Sequence, residues 1–295
     1  MISDNRIELQ PEVSFEIYRE EGGSDPLSND ALRILETTSR TFYIPISRLP
    51  AALLEAVGSG YLCMRAIDEI EDHPELDRQL KEILLRSISQ SLQAAEKHVQ
   101  VDDFLVAKAP YRDWLPEVTV RVGDWARMAP SSIAPRIWDA TAAMADRMAS
   151  WVANDWNIQT EADLHSYTFG VAGAVGLMLS DIWAWYDGTR TDRLNAIGFG
   201  RGLQSVNILR NRNEDLNRGV DFYPMGWDET QMQTYARSNL ALADAYMHGL
   251  PVGPVQDFCK IPLTLAYATI DALEHGRGKL SRSEVALLVE QSISQ

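Results

Sequence analysis

Apolar residues recur at spacings of three and four from Asn29 almost to the end of the chain, and this periodicity limits the fold more than any other feature. It places apolar side chains on one face of an α-helix and is typical of amphipathic helices. The pattern is clearest in residues 50–72, 161–186 and 192–216. Short turns with Pro, Gly or Asp separate such stretches, and the sequence carries no β-hairpin signal or fixed-period repeat. It therefore predicts an all-α fold of about eight to ten helices.

The first residues differ from the rest of the chain. Residues 1–28 mix charged residues with Gly and Pro, as in the stretch EEGGSDPLS. We predict that they form a partly ordered N-terminal lead-in. No linker-like stretch follows residue 30, so we expect residues 29–295 to form one helical domain with a sizeable core.

Charge and cysteine content narrow the class of protein. The net charge of −15 argues against nucleic acid as a partner, because phosphate backbones bind basic surfaces. The chain has two cysteines, Cys63 and Cys259, which indicates a reducing compartment. A single disulfide between them is the alternative. The N-terminus lacks the pattern of a signal peptide, and the apolar run 169–179 is too short to span a bilayer. We therefore expect a soluble cytoplasmic protein.

The stretch YLCMRAIDEIED contains the first acidic motif, residues 61–72. Four of its side chains fall on one narrow helical stripe, at i, i+4, i+7 and i+11: Tyr61, Arg65, Asp68 and Asp72. Two carboxylates one turn apart can hold Mg²⁺ between themselves and a diphosphate. The alternative is a solvated acidic helix end. The apolar residues on both sides favour a metal site, because they predict a buried helix in which unpaired carboxylates are costly.

The stretch QSVNILRNRNEDLNR contains the second acidic motif, residues 204–218. Its oxygen-bearing side chains again form one stripe: Gln204, Asn207, Asn211 and Asp215. Three arginines that can bind phosphate lie among or just after them: Arg210, Arg212 and Arg218. A surface helix with alternating charges is the alternative. A second polar stripe with arginines, far along the chain from the first, favours a shared site.

Two further segments are compatible with a bound ligand. Ser39, Arg40 and Thr41 offer two hydroxyls and a guanidinium for phosphate, or else cap the end of a helix. The segment SYTFGVAGAVG, residues 166–176, surrounds Tyr167 with small side chains. Small side chains permit close helix packing or leave room for a bulky ligand.

These four segments resemble the squalene/phytoene synthase family, and the likeness covers nearly the whole chain from about residue 30. SRTF is similar to the early SR[ST]F segment of the family, and YLCMRAIDEIED to its first aspartate-rich motif. YTFGVAGAVG is similar to its YxxxVAGxVG segment. QSVNILRNRNED, followed by FYP, is similar to its second motif, QxxNIxRDxxED. All four occur in the family order.

The resemblance implies a single-domain isoprenoid synthase fold, the class I terpenoid synthase helical bundle with a central cavity. The implied activity is a Mg²⁺-dependent prenyltransferase reaction that joins two allylic diphosphates head to head. Farnesyl diphosphate is the expected substrate, with a presqualene, squalene or phytoene-type product and two or three Mg²⁺ ions. NADPH use stays open, because GFGRG at 198–202 lies in a helical stretch and is not a dinucleotide fingerprint.

The resemblance also assigns roles to individual residues. The implied metal ligands are Asp68, Asp72, Asn207, Asn211 and Asp215. The residues implied to bind the substrate diphosphates are Ser39, Arg40, Gln204, Arg210 and Arg218. Arg65 is expected to contact diphosphate at the reaction centre, and Tyr61 and Tyr167 to guide proton removal or stabilise cations. Contact with a membrane during product release, and a monomer or a homodimer, are further expectations.

Two departures from the family pattern affect the second acidic motif. Asn211 stands where the family has an aspartate, and Val220 stands where many members carry an arginine that Arg218 could replace. Asn207, Asn211 and Asp215 also resemble the metal triad of class I terpene cyclases. Three single-site alternatives therefore stay open: hydrolysis of farnesyl diphosphate, its cyclisation, and prenyl transfer to an aromatic acceptor. A degenerate subunit that binds without turnover is the non-enzyme alternative.

Overall fold

The computed structural model describes residues 26–94 and 109–294, and no strand occurs within these ranges. The predicted lead-in falls almost wholly outside the described residues. The α-helices, in chain order, are α1 (Pro26–Thr38), α2 (Arg40–Ser47), α3 (Ala51–Glu71), α4 (Arg78–Gln93), α5 (Glu117–Val120), α6 (Val122–Met128), α7 (Ala134–Ala153), α8 (Glu161–Thr168), α9 (Ala174–Asp187), α10 (Arg193–Asn217), α11 (Glu229–His248), α12 (Pro254–Glu274) and α13 (Arg282–Ser294). A 3₁₀ turn, Ala109–Trp114, precedes α5, and a π-helical turn, Phe169–Gly173, joins α8 to α9. The all-α prediction is confirmed.

Local signals explain where several helices begin and end. The helix α1 begins at Pro26, inside the segment assigned to the lead-in, because proline suits the first helical position. Ser39 begins α2 as its N-cap, with Oγ accepting a hydrogen bond from the Phe42 N–H at 3.4 Å. Asp192 caps α10 in the same way, accepting from the Asn195 N–H at 2.8 Å. Ser39 also follows the last residue of α1, and its N–H donates to the Leu35 carbonyl oxygen at 2.8 Å, which agrees with the predicted alternative of a cap at the end of a helix.

Small side chains within residues 166–176 allow this segment to make backbone contact with α10. A Cβ atom built on Gly176 would lie 2.1 Å from the carbonyl oxygen of Ala196, on α10. A Cβ atom built on Gly200 would lie 2.1 Å from the carbonyl oxygen of Ala172. Only glycine fits at such distances, so close helix packing is the structural reason for these residues.

A central cavity of about 570 Å³ lies between α2, α3, the π-helical turn, α9, α10 and α12. The helix α3 forms one wall and is buried along most of its length. The run Glu161–Asp187 is, by length and composition, long and apolar enough to cross a membrane, and 44% of its most apolar window is buried inside the bundle. A core helix of a bundle shares these properties. Ala172, Val175 and Gly176 of this run line the cavity.

Candidate active site

The cavity has an apolar body and one polar end. Its body is lined by aliphatic, aromatic and methionine side chains, among them Phe42, Val57, Met64, Val171, Leu179, Phe199, Leu203 and Phe258. Its polar end combines residues of both acidic motifs and of the α2 N-terminus: Ser39, Tyr61, Arg65, Asp68, Gln204, Asn207 and Arg210. Seven of the residues predicted from the sequence are therefore brought together around one cavity.

The first acidic motif presents a guanidinium and a carboxylate to the cavity from successive turns of α3. Arg65 Nη1 donates to Asp68, and Arg65 Nη2 donates to Glu69. Arg65 Nε is buried and finds no acceptor within the described residues. A buried donor without a partner is costly, so an anionic ligand atom at this position would stabilise the site. Asp72 follows the last residue of α3, and 53% of its side chain is exposed.

Two ionisable groups of this motif have shifted pKa values. Loss of hydration and the nearby Asp72 carboxylate raise the pKa of Asp68 to about 6, although 35% of its side chain is accessible and Arg65 opposes the shift. Burial raises the pKa of Tyr61, and a hydrogen bond with Ser39 opposes this rise. A bound cation would lower the pKa of Asp68 again, because it favours the ionised carboxylate.

Glu71 precedes Asp72 in the chain, and a hydrogen bond that the sequence did not reveal fixes its side chain. Its side chain is 5% exposed, and Oε1 accepts a hydrogen bond of 2.6 Å from Trp156 Nε1. Burial raises the pKa of Glu71 to about 8, and the Trp156 hydrogen bond opposes this rise. Lys81 Nζ donates to the backbone oxygen of Glu71 at 2.6 Å. These contacts fix the end of α3 that carries Asp72.

Trp156 reaches Glu71 from a strained turn after α7. Asp155 and Trp156 both have positive φ, at 58° and 46°. A bulky residue in this conformation is unusual and costs free energy. The only local signal is the sequence Asn154-Asp155, because these residue types tolerate the left-handed region.

In the second acidic motif, the side-chain amide oxygens already accept hydrogen bonds from the protein. Arg210 Nη2 donates to Asn207 Oδ1 at 2.5 Å, and Arg210 Nε donates to Asn211 Oδ1 at 3.2 Å. Asn211 Nδ2 also donates to Asn207 Oδ1, at 3.2 Å. No carboxylate lies within 4 Å of the Arg210 guanidinium among the described residues. Its positive charge therefore has amide partners only and is left for an anionic ligand.

Arg218 joins the two acidic motifs. Its Nη1 donates to Asp72 Oδ1 and its Nη2 to Asp215 Oδ1, both at 2.6 Å. Asp215 is 7% exposed, and burial raises its pKa while Arg218 opposes the rise. The ion pairs bring together residues that lie 146 positions apart in the chain. The prediction that both stripes contribute to one site thus has a direct contact behind it.

Two predicted or candidate residues, Tyr167 and Arg212, are held by partners outside the cavity lining. Tyr167 is buried against Phe222, with ring centroids 4.7 Å apart, and is not among the described residues that line the cavity. Burial raises its pKa, and the nearby carboxylates of both acidic motifs raise it further. Arg212 pairs with Asp221 at 3.2 Å and lies over the Tyr223 ring. Arg40 is the first residue of α2, and its side chain lies outside the described part of the structure.

Among the charged residues described at the cavity, the sequence left one unassigned. Lys279, in the turn between α12 and α13, lines the cavity and pairs with Glu214 of α10 at 2.5 Å. A lone lysine in a polar turn carries no signal of this position, because the turn and α10 are distant in sequence.

The first acidic motif fits the magnesium ions that the resemblance implies. Asp68 and Asp72 are hard oxygen donors one helical turn apart, and each keeps a carboxylate oxygen without a hydrogen bond in the described part of the chain. Within residues 26–94 and 109–294 no three His, Cys, Asp or Glu side chains form a complete metal site. Mg²⁺ commonly uses one or two carboxylates and completes its coordination with water and substrate phosphates. The ligand roles of Asn207, Asn211 and Asp215 stay a prediction.

Several known proteins are similar in sequence. Squalene synthase of Schizosaccharomyces pombe is 24% identical over 286 residues, which cover 82% of this chain and 58% of the relative. Squalene synthase of Dictyostelium discoideum is 28% identical and covers 87% and 68%, and that of Homo sapiens is 26% identical and covers 81% and 62%. The chain thus spans 58–68% of the length of these relatives.

Solved structures share the fold. The complex of TcSQS with the ligand E5700 has a TM-score of 0.74 at 23% identity, with coverage of 92% of this chain and 87% of that chain. A dehydrosqualene synthase in complex with a ligand has a TM-score of 0.53 at 17% identity, with coverage of 91% and 95%. The predicted helical bundle with a central cavity is confirmed.

The sequence profile named Squalene/phytoene synthase matches residues 35–227. This match spans more than half of the chain and includes all four segments on which the resemblance was based. The chain therefore belongs to the squalene/phytoene synthase family, whose members are prenyl-transferring enzymes.

Proposed function

We propose that the protein condenses two allylic prenyl diphosphates head to head, with farnesyl diphosphate as the substrate. One observation carries the proposal: a 570 Å³ cavity has an apolar body and a single end where guanidinium and carboxylate groups meet. Such a cavity suits a molecule with a long hydrocarbon chain and one strongly charged end. The squalene synthases similar to this chain support the same substrate class.

Arginines bind the diphosphate at the polar end. Arg65 offers an Nε without an acceptor in the described ranges, and Arg210 offers a guanidinium whose hydrogen bonds there go to amide oxygens. Asp68 and Asp72 would hold Mg²⁺, which neutralises charge on the leaving diphosphate when it is bound. Together these groups favour departure of the diphosphate, because they stabilise the negative charge that develops on its oxygens.

The apolar body then protects the allylic cation that remains. Its aliphatic and methionine side chains exclude water, which would otherwise convert the cation to an alcohol. The aromatic faces of Phe42, Tyr61 and Phe199 attract positive charge without forming a bond. Among the hydroxyl-bearing residues of the cavity, Tyr61 lies one turn before Arg65 on α3, where it can accept or deliver a proton close to the diphosphate.

A single-substrate reaction is the second candidate. The observation that favours it is the second acidic motif, where Asn211 replaces a carboxylate and both amide oxygens are bound to Arg210. A weakened second diphosphate site would leave hydrolysis or cyclisation of one farnesyl diphosphate as the outcome.

Product analysis separates the candidates. Purified protein is incubated with farnesyl diphosphate and Mg²⁺, with and without NADPH, and the extracted products are identified by mass spectrometry. A C30 product supports the condensation, and its dependence on NADPH assigns the reductive step. Farnesol or C15 hydrocarbons alone would contradict condensation and support the single-substrate reaction. Binding of farnesyl diphosphate without release of inorganic diphosphate would support a non-catalytic subunit.

A further inference from the structure

The position between the two acidic motifs is filled by a side chain of the protein itself. The Arg218 guanidinium donates to Asp72 and to Asp215, each at 2.6 Å. A planar guanidinium that serves two carboxylates forms strong, oriented hydrogen bonds. A cation that joins the motifs is therefore built into the chain.

The helix end holds Arg218 in place. The residue caps α10, and its backbone N–H donates to the carbonyl oxygen of Asp215 at 3.0 Å. Gly219 follows with φ of +83° and lets the chain turn away, after which the Val220 N–H also donates to Asp215. The guanidinium thus projects from a fixed turn toward Asp72.

The donors around Arg218 offer little to a second metal ion. Asp215 is the one carboxylate of the stripe on α10, because position 211 is an amide. The oxygens of Asn207 and Asn211 accept hydrogen bonds from Arg210. Mg²⁺ binds weakly to a neutral amide compared with a carboxylate, and a neighbouring guanidinium repels it.

We propose that Arg218 takes the place of a metal ion at the second acidic motif, so that this chain binds diphosphate with metal held at the first motif alone. The inference rests on the proposed binding of a prenyl diphosphate. It replaces the prediction that Asn207, Asn211 and Asp215 are metal ligands. Asn211 and Arg218 act in the same direction. The amide of Asn211 lacks the negative charge of an aspartate, and the guanidinium of Arg218 supplies a fixed positive charge, so the second motif holds diphosphate without a metal ion of its own.

The test counts metal ions rather than turnover. Mn²⁺ replaces Mg²⁺ as the probe, inorganic diphosphate replaces the substrate, and bound Mn²⁺ per chain is measured by electron paramagnetic resonance and equilibrium dialysis. The variants are Arg218→Gln and the double variant Arg218→Gln with Asn211→Asp. The double variant is expected to bind one more Mn²⁺ than the wild type. The Mn²⁺ concentration needed for diphosphate binding is expected to rise about tenfold in Arg218→Gln.

Arg237→Gln is the matched control. Arg237 also pairs with two carboxylates, Asp271 and Glu274, at 2.6 Å and is similarly exposed, but its partners belong to neither acidic motif. Its substitution is expected to leave the Mn²⁺ count and the Mn²⁺ requirement unchanged. Circular dichroism at the assay temperature checks that each variant is folded.

Three results would overturn the inference in different ways. If wild type and double variant bind equal numbers of Mn²⁺ while both bind diphosphate, Arg218 does not replace an ion and the proposed function is unaffected. The same holds if Arg218→Gln only tightens Mn²⁺ binding, since the arginine is then displaced by metal. If folded wild type binds no diphosphate at any Mn²⁺ concentration, the proposed function fails as well.

Discussion

The C-terminal ends of α3 and α10 carry similar polar stripes, yet the side chains of the two stripes have different hydrogen-bond and ion-pair partners. At the end of α3, Asp68 lies at the cavity, and Glu71 behind it is fixed by Trp156. At the end of α10, the amide of Asn207 is bound by Arg210. Both ends contain arginines, but the stripe at the first end offers two carboxylates, whereas the stripe at the second offers one carboxylate and amides that Arg210 already binds.

The difference shows what helical spacing indicates and what it leaves open. Spacing of three and four tells which side chains share a face. It does not tell what fills the space in front of that face, because the partner comes from a distant part of the chain. Arg218 and Asp72, 146 positions apart, illustrate this.

The largest expected effect comes from the carboxylate at the cavity. Asp68→Asn keeps the shape of the side chain and removes its charge, so we expect turnover of farnesyl diphosphate to fall about 1000-fold or more. Release of inorganic diphosphate measures it. Asp146→Asn, an exposed carboxylate on α7 away from the cavity, is the control. Turnover within a factor of about three of the wild type would remove Asp68 from the metal-binding role.

A smaller effect concerns Glu71, whose pKa lies near 8 in the folded protein instead of 4.5. The folded state binds the proton more tightly, so Glu71 contributes stability that is full below pH 4.5 and is lost as pH rises toward 8. We expect the free energy of unfolding of the metal-free protein to fall by a few kcal/mol across this window. Denaturation with urea at several pH values measures it.

Glu71→Gln supplies the comparison for that titration, because it removes the ionisable group and keeps the shape. We expect a flatter pH profile in this variant. An unchanged slope would mean that other groups cause the pH dependence.

The hydrogen bond behind the first acidic motif predicts a further, moderate effect. Trp156→Phe removes the donor to Glu71 and keeps the ring, so the end of α3 loses a contact worth about 1.5–3 kcal/mol. We expect the Mg²⁺ concentration for half-maximal turnover to rise about tenfold. Trp185→Phe, which loses a 2.9 Å bond to Ser132 outside the cavity, should leave it unchanged. Equal Mg²⁺ requirements in both variants would show that Trp156 does not position the motif.

The two predicted catalytic tyrosines should differ, and here the smallest effect is expected. Tyr61 lines the cavity, whereas Tyr167 is stacked on Phe222 near the carboxylates of the acidic motifs and is not among the described lining residues. Tyr61→Phe should change the product mixture, while Tyr167→Phe should alter turnover less than about threefold. Product ratios from mass spectrometry measure both. A larger loss in Tyr167→Phe would restore its predicted role in proton transfer or cation stabilisation.

Much of the fold and the membership of the site were predictable from the sequence, because both depend on local patterns. Periodicity predicted α3 and α10 nearly to their ends, and the stripes on them predicted that Asp68 and Asn207 face a common region. Side chains whose role depends on tertiary packing were not predictable. Trp156 meets Glu71 across 85 residues and from a left-handed turn, which no local rule indicates.

The backbone contact at Gly176 and Gly200 restricts how the cavity can change. A methyl group at either glycine would overlap a carbonyl oxygen at 2.1 Å, so this wall tolerates no substitution. Met64, Met144 and Met178 line the same cavity, and their flexible side chains accept exchange for shorter or longer apolar residues. A change toward a different prenyl chain length therefore has its accessible route through these methionines, while the glycine wall sets a fixed boundary.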